Sequence, residues 1–286
     1  MPKQIRDNYL EISFKLCIFA KNTIIMKAIT SEELKEIQLN ILNVVADFCE
    51  KSKITYFLAF GTLIGAIRHK GFIPWDDDID IAMPRPDYER FISIFNETSS
   101  IYQVISLENN KKYGFSFAKV HDTRTLVNET QYKQDQFGVY IDIFPIDGIK
   151  NKKRIYWLRT ANKLLHTKKA NFTQRKTSKK IINAIGKAIL FPFSTHYILT
   201  VIDRMAQQCS FGSTPKAGCI CDSVVGERAI VETKVFTDSL YQEFEGRLYK
   251  IPIGYDKWLR NIYGDYMQLP PIEKRVTHHV FEAYWK

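Results

Sequence analysis

Residues 60–82 read Phe-Gly-Thr-Leu-Ile-Gly-Ala-Ile-Arg-His-Lys-Gly-Phe-Ile-Pro-Trp-Asp-Asp-Asp-Ile-Asp-Ile-Ala, setting a glycine turn, a basic cluster and a run of carboxylates close together. Asp78-Ile79-Asp80-Ile81 alternates acid with aliphatic. In a strand, successive side chains point to opposite faces, so Asp78 and Asp80 share one face while Ile79 and Ile81 enter the core. Asp76 has the same parity and Asp77 the other. Carboxylates held side by side repel unless a cation sits among them. Oxygen-only ligands suit Mg²⁺ or Mn²⁺, which commonly bridge to substrate phosphates. A calcium-binding helix–loop–helix is excluded, because its sixth position requires glycine and Ile81 stands there.

Phosphoryl transfer needs a metal, donors for the phosphate oxygens and a base near the attacking hydroxyl. Gly61-Thr62 follows an apolar run, Ile54 to Phe60, that predicts a strand. Glycine at a strand end lets backbone N–H groups approach a phosphate, and a helix starting at Thr62 adds its N-terminal dipole. Arg68, His69 and Lys70 close that helix and offer positive charge to an anionic donor. The bland alternatives are a simple turn, a solvated helix end and an acidic surface loop.

The segment resembles the signature of the LicD family, bacterial phosphocholine transferases related to fukutin-type enzymes, almost letter for letter. Lys119-Val120-His121-Asp122-Thr123-Arg124-Thr125 and Tyr140 to Gly148 resemble the family's middle motifs. Phe244-Glu245-Gly246-Arg247, and Tyr263-Gly264-Asp265-Tyr266-Met267 through Pro270-Pro271, resemble its C-terminal ones. The likeness spans roughly residues 31–286, without the N-terminal extension and much of a basic insert.

The resemblance implies an α/β (α+β) nucleotidyltransferase-like fold, a mixed sheet flanked by helices. It implies a metal pair at Asp78 and Asp80, with a third carboxylate from a later strand, assigned to Asp142. Asp142 then acts as base or only holds the metal; Asp76 competes with Asp78. The alternative for Asp142 is a buried acid paired with a lysine. Gly61, Thr62, Arg68, Lys70 and Lys119 are assigned to phosphate binding. The implied reaction is attack of a glycan hydroxyl on the β-phosphate of a CDP-linked donor, CDP-choline first, releasing CMP. The acceptor is an envelope glycan of teichoic acid, capsule or lipopolysaccharide type. A nucleotidyltransferase, an Asp-x-Asp glycosyltransferase and an inactive nucleic-acid binder are the competing classes. Aromatic faces for a quaternary ammonium are abundant, so composition does not select choline.

The elements that must position these residues are legible in part. Thr30 with Glu33 predicts a capping box, followed by Leu34, Ile37, Ile41, Val44, Val45 and Phe48 at helical spacing. Strands are expected near 54–60, 78–82, 101–107, 114–121, 124–130 and 138–144. Helices are expected near 62–69, from Pro84 to Phe95 with Pro86 in the first turn, and from Tyr255 to Tyr263, stopped at Gly264. Pro270-Pro271 is expected to end regular structure, with His278-His279 beyond it. The divisions are 1–29, an extension with no assigned role; 30–149, a catalytic core; 150–200, a basic helical insert; and 201–286, which completes the catalytic domain.

Charge is unevenly placed. The chain has 41 Lys and Arg against 31 Asp and Glu. Thirteen of the cations fall from Lys150 to Lys187, and no acid occurs between Asp147 and Asp203. The other 28 cations fall short of the 31 acids, so this segment accounts for the whole net positive charge. Tyr156, Trp157, Leu164 and Phe172 are interleaved, and Ile181 to Phe191 has helical spacing. This pattern predicts peripheral contact of 150–191 with an anionic membrane, which would bring the site to a lipid-linked acceptor. RNA binding and a solvated helix pair are the alternatives. The five cysteines show no zinc spacing and suit a reducing compartment. Without a signal peptide or spanning segment, a cytoplasmic enzyme is expected, at most peripheral to the inner membrane face.

Overall fold

The computed structural model describes residues 26–129, 137–169, 187–222, 225–276 and 281–286. The first long helix, α1 (Ser31–Ser52), begins with the expected capping box. Glu33 N–H donates to Thr30 Oγ1 at 3.2 Å and Thr30 N–H to Glu33 Oε2 at 3.0 Å. Its buried face carries Leu34, Ile37, Ile41, Leu42, Val45 and Cys49, and also Gln38. Burial raises the Cys49 thiol pKa, as for a small core residue.

The central sheet runs in the order β2 (Phe57–Leu58), β3 (Asp80–Pro84), β7 (Tyr140–Ile149), β5 (Ala118–Asp122), β4 (Tyr102–Ile105). β3 and β7 are parallel; the other neighbours are antiparallel. The far end of β7 also pairs with β8 (Lys216–Gly218), which pairs with β9 (Val231–Glu232). Helices α2 (Phe60–His69) and α3 (Arg85–Ile94) flank β3, and Pro86 sits in the first turn of α3 as expected. One hydrophobic core runs from α1 through the sheet to α6 (Tyr255–Tyr263), which stops at Gly264 with φ +74°.

Several boundaries differ from expectation. β2 is only two residues long, because Lys53 ends α1 in the left-handed conformation and Ala59 already caps α2. β3 begins at Asp80, so Asp76, Asp77 and Asp78 precede the strand instead of lying within it. The extension is not wholly separate. β1 (Lys27–Ala28) pairs with β12 (Phe281–Trp285), which pairs with β6 (Thr125–Glu129). Regular structure therefore resumes after Pro270-Pro271. His278-His279 and the whole 170–186 stretch of the insert lie outside the described residues.

The insert's first helix, α4 (Lys152–Lys169), packs on α5 (Thr195–Ala206). The Arg154 guanidinium is buried and donates to the carbonyls of Met205, Ala206 and Gly148. It satisfies the C-terminal end of α5, so this member of the basic run serves packing. Deeper in, Arg85 grips Asp147 with Nε and Nη2, both at 2.7 Å, and reaches Asp203 at 3.0 Å. That buried fork ties α3, β7 and α5 together.

Candidate active site

Asp80 is held by its backbone on both sides. Ala59 N–H donates to its carbonyl at 2.9 Å, and its own N–H donates to Thr62 Oγ1 at 2.8 Å. Thr62 is buried, so its hydroxyl serves to lock α2 onto β3. The helix starts at Phe60, two residues before expectation. Phe60 takes the left-handed conformation with φ +45°, and its ring is clamped between Phe144 (5.1 Å) and Trp258 (5.5 Å). Backbone strain at the turn thus falls on Phe60. Gly61 is needed for a different reason: a Cβ there would stand 2.6 Å from Asp76 Oδ2. The Asp76 carboxylate lies against the N-terminus of α2, where the helix dipole favours negative charge.

Parallel pairing of β3 with β7 sets Asp80 beside Asp142, and antiparallel pairing of β5 with β7 sets Lys119 beside Asp142. Lys119 Nζ meets Asp142 Oδ1 at 2.5 Å. The buried ammonium also lies near four rings, with centroid distances of 3.5 Å to Tyr140, 4.5 Å to Phe115, 5.2 Å to Phe117 and 5.8 Å to Phe137. Asp142 is therefore an acid paired with a lysine, as one of its two readings held, and it also lies next to Asp80. Lys119, assigned to phosphate, is drawn inward onto that carboxylate and into an aromatic cage.

Asp76, Asp78 and Asp142 all lie near enough to Asp80 to act on its charge. Burial pushes the Asp80 carboxyl well above its ordinary range; Asp78, Asp142 and Asp76 push it further, and Lys119 opposes them. Such crowding fits a hard dication in kind, through oxygen-only ligands and repulsion that a cation would relieve. Among the described residues, no three His, Cys, Asp or Glu side chains are yet closed around a metal position. Gln38 straps the acidic turn to β7, donating to Asp77 O at 3.0 Å and Tyr140 O at 3.3 Å.

A second group of cations gathers around the C-terminal end of α2 and the Trp75 ring. Arg68 donates to Tyr266 O at 2.6 Å and to His69 Nε2 at 2.9 Å. Arg275 lies over the Trp75 ring at 5.3 Å, and His69 meets the edge of that ring. Burial first, then the Arg275 charge, lowers the Arg68 pKa. Lys70 instead faces solvent and pairs with Glu243 at 3.4 Å. The turn that follows is fixed by the C-terminal hairpin of β10 (Ser239–Phe244) and β11 (Arg247–Pro252). Glu245 N–H donates to Lys70 O at 2.8 Å, and its carboxylate accepts from Phe72 N–H at 3.0 Å.

Three neighbours of the site were not singled out in the sequence. Tyr263 is 45% exposed as a whole, yet desolvation at its hydroxyl end, and then Asp80, Asp76 and Asp78, push that hydroxyl up; the signal for it was its place in the Tyr-Gly-Asp-Tyr motif. Gln38 was detectable as a polar residue on the apolar stripe of α1. Arg275 carried no signal, since only tertiary folding brings it to Trp75.

The nucleotidyltransferase-domain model of the LicD/FKTN/FKRP family matches residues 53–195, which include β3, β5, β7 and the four acids. The chain is 36% identical over 267 residues to the lipopolysaccharide cholinephosphotransferase LicD of Haemophilus influenzae, covering 91% of this chain and 99% of that protein. An uncharacterized protein of Rickettsia prowazekii is 31% identical over 135 residues, covering 37% of this chain and 48% of the relative. The mixed sheet, the acid cluster and these matches define a nucleotidyltransferase-like fold, and the chain belongs to the LicD family.

Proposed function

We propose that this chain transfers a substituted phosphate, phosphocholine from CDP-choline in the first instance, to a sugar hydroxyl of an envelope glycan. Lipopolysaccharide is the first choice of acceptor, by similarity to the Haemophilus protein, whose name gives that substrate. The observation that carries the reading is the register placing Asp80, Asp142 and Lys119 in one row beneath the acidic turn.

Asp80, Asp142 and one of Asp76 or Asp78 would hold Mg²⁺ or Mn²⁺. When bound, the ion neutralises charge developing on the transferred phosphate. Arg68 and Arg275 offer guanidinium donors to the diphosphate, and Gly61 lets the Asp76 carboxylate approach the α2 N-terminus. Asp142 accepts the acceptor hydroxyl proton, with Lys119 fixing the orientation of its carboxylate. The acceptor oxygen forms a bond to the choline-bearing phosphorus as the bridging P–O bond breaks, and the electron pair leaves with CMP. The donor and a lipid-linked acceptor would meet at the cytoplasmic face of the membrane.

The test is incubation of the protein with CDP-choline, MgCl₂ and a lipopolysaccharide lacking phosphocholine. Mass spectrometry of the acceptor should show added phosphocholine, with CMP as the nucleotide product. Pyrophosphate release from CTP would favour the nucleotidyltransferase class, and transfer of a labelled sugar the glycosyltransferase class.

A further inference from the structure

α4 has two unlike sides. Ile155, Leu158, Asn162 and Leu165 are buried, whereas Lys153, Tyr156, Trp157, Lys163 and Leu164 fall at i, i+3, i+4, i+10 and i+11, on the outward side. Tyr156 is 65% and Trp157 59% exposed. The neighbouring segment adds Ile189 at 68% and Phe191 at 84%, followed by Pro192 and a Phe193 ring stacked on Tyr197 at 5.7 Å. Lys168 Nζ donates to Leu190 O at 2.9 Å, which tethers that segment to α4.

We propose that this face is a docking surface for an anionic lipid bilayer. Large apolar side chains in this number are not left in water on a helix without a partner surface. Trp and Tyr, each an apolar ring with one polar end, favour the membrane–water interface, and lysines beside them reach lipid phosphates. No acid between Asp147 and Asp203 opposes an anionic surface. Nucleic acid explains the cations and rings but gives the aliphatic Leu164 and Ile189 nothing to do, whereas acyl chains take both. Side-chain contacts connect this helix with the surroundings of the acids. Lys169, at the end of α4, donates to Gly114 O at 2.7 Å and lies 4.5 Å from the Phe115 ring, the same ring that lines the Lys119 cage. Docking would therefore place the site near the lipid.

The test is co-sedimentation of the full chain with vesicles of phosphatidylglycerol and phosphatidylcholine, and with phosphatidylcholine alone. The wild type should sediment with the anionic vesicles, less so as salt rises. Trp157→Ser with Phe191→Ser, and separately Lys153→Gln with Lys163→Gln, should each weaken partitioning about tenfold at unchanged melting temperature. Equal binding by all three proteins, absence of wild-type binding, or binding to a single-stranded RNA oligonucleotide in place of vesicles would overturn the proposal. These arms do not depend on the transfer reaction. If CMP release fails while vesicle binding follows this pattern, the catalytic reading falls and the docking surface stands.

Discussion

Lys119 and Asp142 face each other across β5 and β7 and close an ion pair of 2.5 Å, with the ammonium 2% exposed and the carboxylate 15%. A buried pair of this kind is strongly destabilised when one partner is removed, because the other charge is left uncompensated. Here the stranded charge would join Asp80, already crowded by Asp76 and Asp78. Lys119→Met is therefore expected to cost about 3–5 kcal/mol of stability in the absence of divalent cations. Mg²⁺ should recover part of it, since a dication offsets the same excess of negative charge. Thermal melts with and without MgCl₂ check this; no difference between them would separate Lys119 from the metal site.

Gly61→Ala makes a sharper test of the turn. The new methyl would meet the movable Asp76 carboxylate and not backbone, so the fold should survive while the acid is displaced. Transfer is expected to fall about 10–100-fold, the scale of a misplaced catalytic or supporting group. Circular dichroism should be unchanged. Full activity in this variant would remove Asp76 from the site.

His121 sets a pH dependence of stability. Its Nδ1 accepts from Gly138 N–H at 3.2 Å, which requires a neutral ring at that atom. Burial first, then the Lys286 charge, lowers its pKa to about 4, with Asp122 opposing. An unfolded histidine titrates near 6.5, so the unfolded chain takes up a proton first as pH falls. The contribution is fully present above about 6.5 and lost as pH drops through the folded value of about 4. Urea midpoints measured from pH 7 to 4 should fall more steeply for wild type than for His121→Gln.

The Arg85 fork is a scaffold feature well inside the molecule. Arg85→Met strands the fully buried Asp147 and should cost about 3–5 kcal/mol. Replacing Asp147 by Asn in the same chain should recover part of that loss by removing the stranded charge. Denaturant unfolding of the single and double variants gives the coupling directly.

Local chemistry made much of this molecule legible. The capping box, the Pro86 helix start and the Gly264 stop each follow from side chains within a few residues of one another, and each stands where its signal placed it. Ile79 and Ile81 are fully buried as expected, but Asp80 between them is buried too and β3 starts only there, so the alternation did not separate a core face from an open one. What failed depended on distant partners. The strand β1 exists only because residues 281–285 return to pair with it. The Lys119–Asp142 pair depends on strand order, which no local pattern encodes. Thr62 looked free for phosphate, yet its hydroxyl is engaged by Asp80 N–H, 18 residues on.

On the proposed function, the acids around Asp80 bind a divalent cation together with a cytidine diphospho-donor. Calorimetric titration of Mn²⁺ into the protein, with and without CDP-choline, tests it most directly. One site is expected, tightened by the donor, lost in Asp80→Asn and weakened in Asp142→Asn. Equal Mn²⁺ binding by wild type and Asp80→Asn, with no response to CDP-choline, would contradict it.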